Sequence, residues 1–185
     1  MASNAARQLL LLRHAKSAWP DVADHERPLA RRGRRDAPVA GRWLRAAGRV
    51  PDRVICSTAR RARETWQLAA AELDAAPAVS FDQRVYGAAA GELLDLARAT
   101  AAGARRLLIV GHDPAMQQLT LTLASARAGD AGALDRVRVK FPTAAIAVLE
   151  FTGTWQQLGP ERARLTAFVV PRDLRADAGQ GYRDR

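Results

Sequence analysis

The sequence predicts an α/β fold in which helices pack on a mostly parallel central sheet. Three segments repeat one order: an apolar run, a polar loop and then a helical pattern. The apolar runs are Leu9–Leu12, Val54–Cys56 and Leu107–Val110. Continuous runs of this length are typical of strands that are buried on both faces in parallel sheets. Strands that alternate with helices therefore predict an α/β sandwich.

Apolar side chains at helical spacing mark three helices, each after one of these strands. Pro38 is expected near the first turn of the first helix, and Pro114 opens the third. A fourth helix is predicted over Glu92–Ala102. The residues that mark the first three helices are, in order, Val39, Ala40, Trp43, Leu44 and Ala47; Ala62, Trp66, Ala69 and Leu73; and Met116, Leu119, Thr120 and Leu123.

The length and composition fit one globular domain. The chain has 185 residues, of which 48% are hydrophobic, and we expect a single domain over residues 7–171. Two later runs, Ala144–Phe151 and Leu165–Val170, are rich in β-branched and apolar residues and predict further strands. The charged, glycine-containing stretch over residues 172–185 is expected to be a flexible tail.

Several classes of protein are disfavoured by the composition. Cys56 is the only cysteine, which excludes an internal disulfide framework and a multi-cysteine zinc site. Residues 1–8 lack the apolar region of a signal peptide, and Leu9–Leu12 is too short to span a membrane, so we expect a cytoplasmic location with no membrane partner. The net charge is +10, but it comes mainly from arginines spread along the chain, which disfavours specific nucleic-acid binding.

Charged and imidazole side chains follow the three apolar runs. Arg13 and His14 follow the first, Ser57 and Arg61 follow the second, and His112 follows the third. Ligands in open α/β sheets lie beyond the carboxyl ends of the strands. We therefore expect the two histidines and the two arginines to converge on one edge of the sheet.

Such a cluster predicts an anion site. Two guanidinium groups packed together repel each other unless a counter-charge joins them, and the arginine fork matches phosphoryl oxygens. Phosphate, sulfate or vanadate would fit. A neutral His14 has a free nitrogen lone pair that can attack phosphorus, and Arg13, Arg61 and His112 would stabilise the charge of the transition state. The arginines supply this charge, so we expect no metal.

The motifs LLRHAKS, CSTARRARET and IVGHDP resemble the three signatures of the histidine phosphatase superfamily. The stretch RPLARRGRRDAPVAGRWL, which begins at Arg27, resembles the branch typified by the SixA phosphohistidine phosphatases. The resemblance runs from about Leu9 to Pro171. It implies a three-layer α/β/α fold, as in the phosphoglycerate mutases, and no cofactor.

The resemblance also implies roles for individual residues. His14 matches the nucleophile of the family, and Arg13, Arg61 and His112 match its phosphate pocket. Arg27 and Ser57 match residues found near that pocket. Arg27 is equally suited to the rim of the pocket and to bracing its loop. Apart from the resemblance, Lys16 could bind an anionic substrate from the rim, which we favour, or simply lie on the loop.

Many larger members of the family carry a glutamate acid where this chain reads Gln83-Arg84-Val85-Tyr86-Gly87. Asp113 is the leading candidate for a general acid, although an aspartate before Pro114 is equally suited to capping a helix. The weaker candidates are Asp21, Asp24 and Glu92. Phosphoramidates and acyl phosphates have leaving groups that need little protonation, so a missing acid would favour such labile substrates.

The resemblance favours a phosphatase that acts on phosphohistidine in proteins or on another small phosphorylated substrate. Two alternatives remain: a small-molecule phosphomonoester or acyl-phosphate phosphatase, and a non-catalytic phosphate-binding module. A mutase-like phosphotransferase is disfavoured by the short chain and the absent glutamate. Trp19 lies in the loop after the first strand and is expected near the mouth of the pocket.

Overall fold

The fold is built around one seven-stranded sheet, seen in a computed structural model that describes residues 6–171, 173 and 174. In chain order the strands are β1 (Arg7–Arg13), β2 (Arg53–Ser57), β3 (Ala78–Asp82), β4 (Arg106–Gly111), β5 (Ala124–Gly129), β6 (Ile146–Phe151) and β7 (Ala163–Val169). Their order across the sheet is β3-β2-β4-β1-β6-β7-β5.

The sheet is mostly parallel, as the sequence predicts. The pairs β3–β2, β2–β4, β4–β1 and β5–β7 are parallel, and β6 runs antiparallel to both β1 and β7. The reversed strand places Ile146 beside Leu12, near the carboxyl end of β1. The beginning of β6 therefore reaches the same edge of the sheet as the ends of β1, β2 and β4.

Within the part of the chain that the structure describes, five α-helices cover the two faces of the sheet: α1 (Arg31–Ala46), α2 (Arg60–Ala70), α3 (Ala90–Arg98), α4 (Ala115–Leu123) and α5 (Ala131–Val139). Strand β1 shows how the faces divide, because Leu9–Leu12 are all fully buried. Leu10 and Leu12 pack towards α1 and α2, whereas Leu9 and Leu11 pack towards α3, α4 and α5. Because side chains alternate along a strand, β1 contributes to a hydrophobic core on each face of the sheet. The three-layer α/β/α fold is thus confirmed.

The structure corrects several element boundaries. Pro38 lies well inside α1, because the helix begins at Arg31 rather than near the proline. The fourth predicted helix is α3, which begins earlier and ends at Arg98. Strands β3 and β5 and helix α5 were not predicted. Both strands lie at the sheet edges and are largely exposed, so they lack the apolar run that marks a buried strand.

The predicted domain limits, 7–171, enclose all strands of the sheet, and the extent of the domain stays a prediction. The predicted tail, 172–185, lies outside the described residues except for Asp173 and Leu174. Among the described residues, no helix has both the length and the apolar character needed to cross a bilayer.

Helices α1 and α2 approach closely at Gly41. A Cβ atom at this position would lie 2.1 Å from the Ala69 carbonyl oxygen, so an alanine requires the two helices to separate. We expect Gly41→Ala to lower the free energy of unfolding by about 1–3 kcal/mol, as overpacking in a core does. Urea denaturation measures the change.

The matched control is Gly91→Ala, since Gly91 also lies in a helix but has no neighbouring atom within 4 Å of a Cβ. This control should be neutral or slightly stabilising, because alanine is the better helix former. Equal stability of the two variants would contradict the predicted close contact.

Candidate active site

The five residues that follow the apolar runs meet at one edge of the sheet. Arg13 ends β1 and His14 follows it, Ser57 ends β2, Arg61 lies in the first turn of α2, and His112 follows β4. The ring centroids of His14 and His112 are 5.1 Å apart. Parallel strands therefore deliver side chains from distant parts of the chain to one place, as the strand order predicts.

The environment of His14 defines its protonation and its tautomer. Burial is the main reason why the pKa of His14 falls to about 3; the hydrogen bond to Ala15 opposes this shift, and His112, Arg61 and Arg13 add to it. The ring is therefore neutral near pH 7. Nδ1 lies 2.8 Å from the carbonyl oxygen of Ala15. A carbonyl only accepts, so Nδ1 carries the hydrogen and donates it. The lone pair is consequently on Nε2.

The loop that holds His14 is fixed by a buried threonine. The Ala15 amide donates to Oγ1 of Thr65 at 2.9 Å, and the Thr65 hydroxyl donates to the Arg61 carbonyl at 2.6 Å. Thr65 is fully buried. It lies one helical turn after Arg61 on α2, so it joins the Arg61 helix to the His14 loop. The spacing Arg61–Thr65 was visible in the sequence, but a threonine in a helix carries no chemical signal of its own.

His112 is held between Arg61 and Ser57. Nη2 of Arg61 lies 3.4 Å from Nδ1 of His112, and Nε2 of His112 lies 2.8 Å from Oγ of Ser57. Arginine only donates, so Nδ1 is the acceptor and Nε2–H donates to the serine. Burial, followed by the charge of Arg61, lowers the pKa of His112 to about 4. Ser57 is fully buried and orients His112.

Asp24 forms hydrogen bonds with Arg61, one of the two arginines that the sequence predicts to bind phosphate. Arg61 donates through Nη1 to the Asp24 carbonyl at 2.7 Å and through Nη2 to its carboxylate at 3.0 Å. Arg27 and the Tyr86 hydroxyl each donate to the same carboxylate at 2.8 Å. The bonds from Arg27 and Tyr86 are the main reasons why the pKa of Asp24 falls to about 2. Asp24 is therefore a fixed negative charge and is poorly suited to donate a proton.

Asp113 is in a different environment. Its carboxylate lies 3.3 Å from Nη1 of Arg13, which also donates to the Phe141 carbonyl at 2.5 Å. Burial raises the pKa of Asp113, and the charge of Arg13 acts in the opposite direction. A carboxyl group that keeps its proton to higher pH remains suited to acid catalysis. Burial also lowers the pKa of Arg13.

The two other candidate acids do not join this cluster. Asp21 is exposed in the loop after β1, and no ion pair or hydrogen bond involves its side chain within the described residues. The Glu92 carboxylate accepts the Ala89 amide at 2.8 Å, at the beginning of α3. Glu92 therefore caps a helix.

A cavity of about 190 Å³ opens beside His14. It is lined by Arg13, His14, Lys16, Ser17, Trp19, Arg27, Arg61 and Thr143. Trp19 is 77% exposed, so it lies at the rim, as does the exposed Lys16. The lining combines three arginines with a lysine, which suits an anion. Among the described residues, no group of three or more histidine, cysteine or acidic side chains is arranged to hold a metal ion.

Arg27 lines the cavity, but its guanidinium donates hydrogen bonds to residues of the surrounding loop. Nε donates to the Ala18 carbonyl at 3.0 Å, Nη1 to Asp24 at 2.8 Å and Nη2 to the Ser17 hydroxyl at 2.6 Å. Its guanidinium carbon also lies 3.2 Å from the centre of the Trp19 ring. These contacts show that Arg27 braces its loop, and because it also lines the cavity, substrate binding by Arg27 stays a prediction.

Comparison with known proteins points to one family. Residues 9–93 match the model of the histidine phosphatase superfamily, branch 1. An uncharacterised protein of Mycobacterium tuberculosis is 48% identical over 87% of this chain and 100% of its own length.

Two solved structures are described as candidate SixA phosphohistidine phosphatases. The one from Nakamurella multipartitia has 36% identity and a TM-score of 0.78, covering 90% of this chain and 97% of its own. The one from Agrobacterium tumefaciens has 27% identity and a TM-score of 0.74, covering 89% and 98%.

His14, which is buried, and His112, which is partly buried, make the stability of the fold depend on pH. The pKa values of His14 and His112 are near 3 and 4 in the native protein, whereas an unfolded histidine titrates near about 6.5. Their contribution is complete above that pH and is lost as the pH falls, because the unfolded chain then binds protons that the native protein does not. We expect the free energy of unfolding to fall between about pH 6.5 and 5, with a limiting slope of about 1.4 kcal/mol per pH unit for each histidine.

Denaturation series in this pH window check the prediction. His14→Gln removes one of the two groups, so its slope should be about half that of the wild type. An unchanged slope would show that His14 is not buried in its neutral form.

Proposed function

We propose that this chain, which belongs to the histidine phosphatase superfamily, is a phosphatase that receives a phosphoryl group on Nε2 of His14 and passes it to water. The observation that carries the proposal is the state of His14. Its ring is neutral, its Nδ1–H is bound to Ala15, and its Nε2 lone pair remains beside a cavity that is lined by arginines. This combination is what a histidine nucleophile requires.

The reaction has two in-line steps. In the first, a bond forms between Nε2 of His14 and phosphorus while the bond to the leaving group breaks, and the leaving group takes the electron pair. In the second, water attacks phosphorus, the N–P bond breaks, and inorganic phosphate and neutral His14 are regenerated. Negative charge spreads over the phosphoryl oxygens in both transition states, where Arg13 and Arg61 stabilise it without a metal ion.

His112 does not line the cavity itself, but its ring lies 5.1 Å from that of His14, and we expect it to take part through its response to charge. In the free protein its pKa is low because burial and Arg61 disfavour a second positive charge. A bound phosphoryl dianion would place negative charge near His112, and this charge favours the imidazolium form of the ring. His112 then has two N–H donors and contributes one to the phosphoryl group while Ser57 holds its orientation.

The substrate class follows from the leaving group. Asp24 is ionised and bound by three donors, which leaves Asp113 as the proton donor of this proposal. One partly exposed acid that is paired with Arg13 is a modest proton source, which favours leaving groups that are weakly basic or already protonated. Phosphohistidine in a protein has such a leaving group, and the two SixA-type structures are described as phosphohistidine phosphatases. An exposed rim at Trp19 and Lys16 lets a protein-borne side chain enter.

A small acyl phosphate is the second candidate substrate, because the cavity of about 190 Å³ has room for a small molecule. Both candidates agree with a cytoplasmic enzyme, the location that the sequence leads us to expect. Hydrolysis of a phosphohistidine-bearing protein, measured beside acetyl phosphate and common phosphomonoesters, distinguishes the two.

Replacement of the nucleophile tests the mechanism. We expect the wild type to hydrolyse acetyl phosphate in the presence of EDTA, to be inhibited by vanadate, and to form an acid-labile, base-stable phosphoenzyme. His14→Asn should lose at least about a thousandfold in kcat, because the covalent step is removed.

The matched control is His25→Asn. His25 lies in the neighbouring loop, where its ring nitrogens contact Glu26 and Thr58, and this variant should stay within a few-fold of the wild type. Equal activity of His14→Asn and the wild type would exclude the proposed mechanism.

The role of Asp113 is tested by varying the leaving group. If Asp113 donates the proton, Asp113→Asn should lower kcat for an alkyl phosphate by about a hundredfold, whereas acetyl phosphate, whose leaving group is a carboxylate, should change only a few-fold. Steady-state kinetics on both substrates measure the difference. An equal loss on both, or a lower melting temperature with unchanged kinetics, would assign Asp113 to supporting Arg13 and the beginning of α4.

A further inference from the structure

The segment Phe141–Ala145, just before β6, brings one unassigned side chain to the cavity. Thr143 lines the same cavity as His14 and Arg61. Its hydroxyl makes no hydrogen bond to any residue that the structure describes, and its side chain is only partly buried. The other hydroxyl of the cavity, that of Ser17, accepts a hydrogen bond from Arg27 at 2.6 Å. Thr143 therefore presents an unused donor to whatever occupies the cavity.

Hydrogen bonds join this segment to the end of β1 at several points. The Arg13 amide donates to the Ala145 carbonyl at 3.1 Å, and Nη1 of Arg13 donates to the Phe141 carbonyl at 2.5 Å. The Ala144 amide lies 3.1 Å from the Arg13 carbonyl and 3.2 Å from the His14 carbonyl. The residue after Thr143 thus contacts the backbone of the proposed nucleophile itself, so the position of Thr143 relative to His14 is fixed.

The backbone at Ala144 adds a second observation. Its φ angle is +61°, in the left-handed region that side-chain-bearing residues seldom adopt, and the residue is fully buried. Such a conformation is unfavourable for a residue with a Cβ and persists only where the surroundings impose it. Here the bonds to Arg13 and His14 impose it, and the result is a sharp turn that leaves Thr143 at the cavity wall.

We propose that Thr143 is a substrate-binding residue whose hydroxyl donates a hydrogen bond to a phosphoryl oxygen. This inference rests on the proposed phosphatase function and adds a neutral donor to the charged ones. A hydroxyl that donates to an ionised oxygen forms a strong, short hydrogen bond. Because it carries no charge, it aids binding of the phosphoryl group without further repulsion of Arg13 and Arg61. The phosphoryl group is thereby fixed from the β6 side as well as from the helix side.

The test replaces the hydroxyl while keeping the shape of the side chain. Thr143→Val is nearly isosteric, and we expect it to weaken competitive inhibition by inorganic phosphate and by vanadate about tenfold and to raise KM for acetyl phosphate by a similar factor. Thr143→Ser retains the hydroxyl and should stay within about threefold of the wild type. Thr152→Val is the matched control, since Thr152 is exposed at the opposite end of β6 and should leave both constants unchanged.

Direct phosphate binding separates this inference from the proposed function. Titration calorimetry with inorganic phosphate needs no turnover, so it reports on Thr143 even if no substrate is hydrolysed. Weaker binding in Thr143→Val with recovery in Thr143→Ser supports the hydrogen bond. Unchanged phosphate binding in Thr143→Val, or an equal loss in the serine and valine variants, would overturn it. Inactivity of the wild type on every substrate would instead refute the phosphatase proposal.

Discussion

The hydrogen bond from Nδ1 of His14 to the Ala15 carbonyl decides which ring nitrogen is available at the cavity. His14 and Ala15 are neighbours in the chain, so this hydrogen bond depends on a loop that keeps one conformation. Thr65 provides that rigidity by binding the Ala15 amide and the Arg61 carbonyl together. One buried hydroxyl therefore links the orientation of the imidazole to the position of the guanidinium through two hydrogen bonds.

Charge balance is the second requirement of the site. Arg61 is buried, and a buried cation without a partner is costly. Asp24 supplies the partner through its carbonyl and its carboxylate, and Arg27 and Tyr86 hold Asp24 in turn. The guanidinium is thus oriented before any phosphate arrives. Preorganised donors of this kind need no rearrangement as charge develops.

The sequence predicts the parts of this molecule that depend on strand order and misses those that depend on loop geometry. Buried strands have continuous apolar runs, so β1, β2 and β4 and the meeting of His14, Arg61 and His112 could be predicted. Asp24, Tyr86 and Thr143 could not be placed, because their loops are positioned by hydrogen bonds to distant residues, and such bonds leave no periodic pattern in the sequence. The edge strands β3 and β5 were missed for a related reason, since exposed strands do not carry an apolar signal.

The edge of the sheet at which strands end differs in function from the edge at which they begin, because every strand except β6 runs in the same direction. The edge beside His14 holds the end of β1, the segments after β1 and β2 and the segment before β6, and the residues that line the cavity lie in these segments. The opposite edge holds connections such as Gly103, where no atom lies within 4 Å of a Cβ. That edge is consequently the place to attach a fluorophore or a fused reporter, because changes there leave the chemistry of the other edge untouched.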